Sequence, residues 1–186
     1  MLLRRTSAAG TPPITLAEAK AQLRVDDTSE DTLITGLIAS STALVGEMAG
    51  RVMAEETWAA SWSSIAGDIV LPKSPVKELV SVTYYDSADT LQTMSNADFY
   101  LFRSDDLTSL RPKPNKAWPV TAEREDAITI TFTAGYTTLP TELRMAVLLC
   151  IGHLHGHRSA VDEAMSELPM GVDALVSTQR LGWMMA

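Results

Sequence analysis

Hydrophobic residues fall in three differently spaced stretches along this chain. From 14 to 51 they recur at three- and four-residue steps, the spacing of an amphipathic helix. Thr15-Leu16-Ala17-Glu18 fits a capping box, and Leu16, Ala19 and Leu23 share one face. This helix is predicted to stop near Val25-Asp26-Asp27. A second helix starts at Thr28-Ser29-Glu30-Asp31, where acidic side chains suit the positive helix end, and carries Leu33, Ile34, Leu37, Ile38, Leu44, Val45 and Met48. Gly50-Arg51 is the predicted stop. From 52 to 138 prolines at 72, 75, 112, 114 and 119 break the chain and β-branched runs replace helical spacing. Strands are expected within 57–65, at 79–85, at 99–102 and at 127–133. In the last of these Ile128, Ile130 and Phe132 alternate with Thr129, Thr131 and Thr133, so one face packs and the other is wet. A third stretch opens at Pro140, which suits the first turn of a helix. Its residues Leu143 to Leu154 are apolar on nearly every side and call for cover all round.

The resulting expectation is an α+β fold, mainly helical. A helical bundle carries an inserted small antiparallel β-sheet and a C-terminal helical tail. The segments are a mobile N-terminal arm over 1–13, a main domain over 14–161 (helices 14–51, β region 52–138, helix 140–157) and a tail over 162–186. The 186 residues are enough for one substantial core, with 46% hydrophobic and 20% charged residues. A net charge of −8 argues against a tight grip on DNA phosphates, which requires Lys and Arg to displace counterions. The single cysteine, Cys150, excludes an internal disulfide and reads as a buried thiol. The first residues lack the apolar run of a secretory signal, and no stretch approaches the roughly 18 apolar residues of a membrane span. Synthesis in a reducing cytoplasm and no membrane partner are the corresponding expectations.

Candidate chemistry is sparse. His153 and His157 stand one helical turn apart, with His155 between them, and could hold a metal. No Glu follows His153 at the metalloprotease spacing, and imidazoles at a polar helix end account for the pattern. Asp26, Asp27, Glu30 and Asp31 lack the calcium-loop pattern and read as helix punctuation; Ser104-Asp105-Asp106 reads as a turn. No Gly-x-Ser-x-Gly elbow or glycine-rich phosphate loop occurs. Three cations and Trp118 in 111–118 form a thinly basic loop.

Four local patterns follow one another in order. They are Ile14-Thr15-Leu16-Ala17-Glu18-Ala19-Lys20 with Leu23 and Asp31-Thr32-Leu33-Ile34; Glu47-Met48-Ala49-Gly50-Arg51 running into Thr57-Trp58; Pro75-Val76 with Val80-Ser81-Val82-Thr83-Tyr84-Tyr85-Asp86; and Phe132-Thr133-Ala134-Gly135-Tyr136, then Leu139-Pro140 and Leu143-Arg144-Met145-Ala146, ending at His157-Arg158. Together they resemble the head–tail connector (adaptor) family of long-tailed bacteriophages and phage-derived gene transfer agents. The resemblance implies a structural protein with no catalytic residues and no cofactor. It implies a homo-oligomeric ring, a dodecamer in the particle, at the head–tail junction. The portal protein lies on one side of such a ring and a tail-side connector or stopper protein on the other, and double-stranded DNA passes through the lumen without specific binding. The apolar and cationic residues of 168–186 then suggest a portal-docking tail, with Leu175, Arg180 and Trp183 as contacts; folding back on its own subunit is the alternative. Two other readings compete: a metal-dependent hydrolase using His153 and His157, and a monomeric ligand-binding β module with Trp58, Trp62, Tyr84 and Tyr85 as a stacking platform.

Overall fold

The computed structural model describes residues 1–7, 10–104, 106–157 and 170–182. The chain divides into a β unit (residues 1–10 and 55–136) and a helical unit (11–54 and 137–186). The fold is α+β, as expected, with two small antiparallel sheets where one was expected.

In the helical unit α1 spans Leu16–Leu23. Its capping box is present: the Glu18 amide donates to Thr15 Oγ1 at 3.3 Å and the Thr15 amide to Glu18 Oε2 at 2.9 Å. Arg24 ends it in the left-handed region. The second helix, α2, spans Asp31–Ala49 and stops at Gly50, whose φ of 69° suits a residue without a Cβ. By length and composition alone α2 could cross a bilayer. Its stripe of Ile34, Ile38, Ser41, Val45 and Ala49 is instead buried in protein. Lys20 ties the two helices, donating to Asp31 Oδ1 at 2.7 Å and to the Asp27 carbonyl at 2.6 Å. The third helix, α3, spans Thr141–Gly156 and buries Leu143, Ala146, Val147, Leu148, Cys150 and Ile151. That is cover on most sides, as its composition requires. Arg144 of α3 pairs with Glu18 of α1. A short α4, Met170–Ser177, packs on α3 and α2.

In the β unit the larger sheet has the order β1-β2-β8-β4-β5 and the smaller β3-β7-β6. The strands are β1 (Leu2–Ser7), β2 (Glu56–Trp62), β3 (Ile69–Val70), β4 (Val76–Tyr85), β5 (Leu91–Met94), β6 (Phe99–Arg103), β7 (Thr108–Pro112) and β8 (Ile128–Ala134). Residues 2–7 therefore form a paired strand where the sequence suggested a mobile arm, because β2 offers them an open edge of backbone donors and acceptors. Strand β8 is central, and its alternation holds: Ile128, Ile130 and Phe132 are buried, while Thr129 and Thr131 are half-exposed and only Thr133 is also covered. Register places Trp58, Ala60 and Trp62 of β2 opposite Phe132, Ile130 and Ile128, and Leu79, Val82 and Tyr84 of β4 opposite the same three. These rows make the packed face.

Ion pairs brace the strand ends. A hydrogen bond from Arg111 holds the Asp68 carboxyl below the usual carboxylate range. Bonds from Arg124 do the same for Asp126, and from Gln92 and the Thr90 amide for Asp86. Arg124 also stacks 3.6 Å over the Tyr85 ring. A carboxyl whose folded value lies below its unfolded value of about 3.9 adds stability that is complete above that pH and is lost as pH falls through the folded value. The melting temperature is therefore expected to stay flat from about pH 7 to pH 5 on account of these groups and to fall below about pH 4. Calorimetry of Asp68→Asn and Asp126→Asn should show a shallower acid limb than the parent. Because the pairs are exposed, the difference should shrink in high salt.

Candidate functional site

The three histidines lie at the C-terminal end of α3. His153 and His157 share a face, with ring centroids 4.5 Å apart, and His157 Nδ1 lies 2.9 Å from the His153 carbonyl oxygen. His155 points elsewhere, with Nε2 2.8 Å from Glu30 Oε2 at the start of α2. Among the described residues no three His, Cys, Asp or Glu side chains come together to hold a metal ion. The spacing that suggested a hydrolase thus serves a helix end: one imidazole caps a carbonyl, and another joins α3 to α2. The acidic cluster likewise resolves into local bonds. Asp27 accepts from both the hydroxyl and the amide of Ser29, which holds its carboxyl below the ordinary range, and Asp31 takes Lys20.

The four aromatics of the proposed platform do not all share one face. Trp58, Trp62 and Tyr84 share the packed face with Phe132 and Ile128, whereas Tyr85 lies on the opposite face beneath Arg124. Large rings in such rows fill a core rather than line an open binding surface.

The C-terminal segment is where sequence-predicted contact residues can be placed. Val172, Val176 and Leu181 are buried against the helical unit. Leu175 is half-buried on the same helix. Arg180 is engaged within the subunit: Nε donates to the Met48 carbonyl at 3.2 Å and Nη2 to Asp173 Oδ1 at 2.9 Å. The Leu181 amide donates to the Ala49 carbonyl at 3.2 Å, and Arg51 Nε donates to the Gln179 carbonyl at 2.9 Å. Met48 and Ala49 lie in the last turn of α2, whose carbonyls have no partner within the helix. Residues 180 and 181 therefore cap α2, and a cation there also suits the negative helix end. Trp183 and residues 158–169, Leu168 among them, lie outside the described residues.

Apolar side chains also remain uncovered. On α2, Leu33 is 42% and Leu44 37% exposed; they stand eleven residues apart, three turns along one face, with half-buried Leu37 between them. On α3, Met145 is exposed as well. These surfaces suit burial against other protein rather than a reaction.

The sequence profile of the phage gp6-like head-tail connector proteins matches residues 13–111. The chain belongs to that family. It is a structural connector protein by that membership, and among the described residues no metal-holding cluster supports the hydrolase reading. Solved structures give the same fold over nearly the whole chain. A protein in the neck of an empty GTA particle computed with C6 symmetry superposes with a TM-score of 0.80 at 20% identity, covering 97% of this chain and 95% of that one. A protein of the virion of a native gene transfer agent particle gives 0.80 at 19% identity over the same shares. A protein in the neck of a native GTA particle computed with C12 symmetry gives 0.77 at 18% identity, again over 97% and 95%. No curated protein matches the sequence significantly.

Proposed function

We propose that copies of this connector form a ring, a dodecamer in the particle, at the head–tail junction. The portal lies on one side and a tail-side connector or stopper protein on the other. The family match over 13–111 carries this reading. It is supported by full-length similarity to neck proteins of a gene transfer agent particle, one of them computed with C12 symmetry. A ring requires two different surfaces of one subunit to meet head to tail, and the exposed leucines of α2 are one source of such contact. Double-stranded DNA passes through the lumen without specific binding. A net charge of −8 fits that role, since an acidic protein does not hold phosphates.

The C-terminal segment provides the portal contact in this proposal. Leu175 and Trp183 are the apolar anchors, and Arg180 fixes the segment to the end of α2, so that Leu175 is held on a docked helix. Leu175→Asp is expected to reduce co-purification with portal-containing heads by tenfold or more, while leaving the melting temperature nearly unchanged, because its side chain is already half in water. Undiminished co-purification would remove Leu175 from the contact. The function itself is tested by silencing the gene in a producing cell. DNA-filled heads without tails are expected, and normal tailed particles would refute the assignment.

A further inference from the structure

Among the described residues the larger sheet has two open edges, and they match. Strand β1 is paired on one side only, to β2, and all six of its residues are exposed. Leu2 stands 53% and Leu3 37% exposed. At the far edge β5 is paired only to β4, with Leu91 56% exposed. Neither strand contains a proline, a common device for blunting a free edge. Of the two charges in β1, Arg5 is drawn back toward its own sheet by Glu56 at 3.2 Å.

Register shows how the edges correspond. Leu2 lies opposite Ser61, Ser61 opposite Thr129, Thr129 opposite Thr83, and Thr83 opposite Thr93. Leu91 is two residues from Thr93, so Leu2 and Leu91 project from the same face. By the same path Leu3, Ala60, Ile130, Val82 and Met94 share the other face. Each face thus has an apolar residue at both edges. All four pairings are antiparallel, and with five strands the two edge strands run in the same direction. A copy related by rotation about an axis along the strands therefore brings its β1 beside β5 of its neighbour, parallel, with matching faces outward. The operation leaves the same two edges open at the ends of the pair, so it repeats.

We propose that β1 of one copy adds to β5 of the next, so that the five-stranded sheets join edge to edge around the connector ring. The occupant of each open edge is a second copy of this chain. In the level register the junction sets Leu3 beside Met94 and Leu2 beside Thr93, and shifted by two residues it sets Leu2 beside Leu91; in either, the ladder satisfies backbone groups that otherwise bond to water. The proposal rests on the ring reading above. A two-fold dimer through β1 alone would leave β5 uncovered and could not extend.

Disulfide trapping tests it in particles assembled from full-length variants. Within one copy, positions 2 and 91 lie across four strand spacings, about 19 Å, well beyond the roughly 7 Å limit between Cα atoms of a disulfide. Any bond between them is therefore intermolecular. Both side chains are largely exposed, so the replacements leave the core intact, and the natural Cys150 is buried. Leu2→Cys combined with Leu91→Cys, or with Thr93→Cys to cover a two-residue difference in register, is expected to give a ladder of cross-linked multimers on oxidation. The single variants should give none. Two outcomes overturn the junction while leaving the connector role standing. One is incorporation of both double variants into tailed particles with no cross-linking. The other is a dimer from Leu2→Cys alone, which means two-fold pairing. Absence of the parent chain from purified particles would overturn the ring reading and this proposal together.

Discussion

Phe132→Ala is expected to destabilise the β unit by about 3–5 kcal/mol. Phe132 is fully buried in the central strand β8, opposite Trp58 of β2 and Leu79 of β4. Truncation removes the transfer free energy of the ring and leaves a cavity that three hydrogen-bonded strands cannot close. Against a total stability of about 5–15 kcal/mol for an ordinary domain, that loss is a large fraction. Denaturant titration followed by tryptophan fluorescence reads it directly, because Trp58 and Trp62 lie in the same rows. Phe132→Leu, which refills part of the space, should recover much of the loss. A midpoint unchanged by Phe132→Ala would mean that the packed face is not the one described.

A comparable loss is expected from Val172→Asp combined with Val176→Asp. Both valines are fully buried on α4, and an ionised carboxylate cannot take their place without a partner. The segment should leave the helical unit, exposing Val172, Val176 and Leu181 sites together. At about 1.5–3 kcal/mol per buried aliphatic side chain, the three together give about 4.5–9 kcal/mol as an upper bound. The caps on α2 from Arg180 and the Leu181 amide go with it. Limited proteolysis should then cut near 170–182 at a rate at least tenfold above the parent. Leu175→Asp, one position away on the half-exposed side, should not change that rate. Equal cleavage of the two variants would show that α4 is not held by its buried valines.

The helices were legible in the sequence because their signals are local. Thr15 and Glu18 are three residues apart and cap each other; Gly50 supplies the left-handed stop; the buried stripe of α2 repeats at helical steps. The alternation of β8 was legible for the same reason. Strand β1 was not, because Leu2-Leu3-Arg4-Arg5-Thr6-Ser7 has no period-two pattern and is a strand only by virtue of the edge that β2 presents. The short β5 and β7 owe their state to their neighbours in the same way, and β7 ends in a proline. Among candidate site residues, the shared face of His153 and His157 follows from spacing, but the partner of His155 is Glu30, 125 positions away in sequence. Arg180 read as a docking cation. Its bond to the Met48 carbonyl spans 132 positions, and no local pattern announces it.

The head–tail connector family is identifiable from motif order before any coordinates, and the sequence profile and the fold agree with it. The ring, its portal contact and its edge-to-edge sheets add geometry to that assignment. Imaging the vertex of purified tailed particles by cryo-electron microscopy, without imposed symmetry, is the most direct test. An annulus of density between head and tail into which this fold fits, repeated around an open passage, is the predicted result. A vertex fully accounted for by other chains would contradict the account.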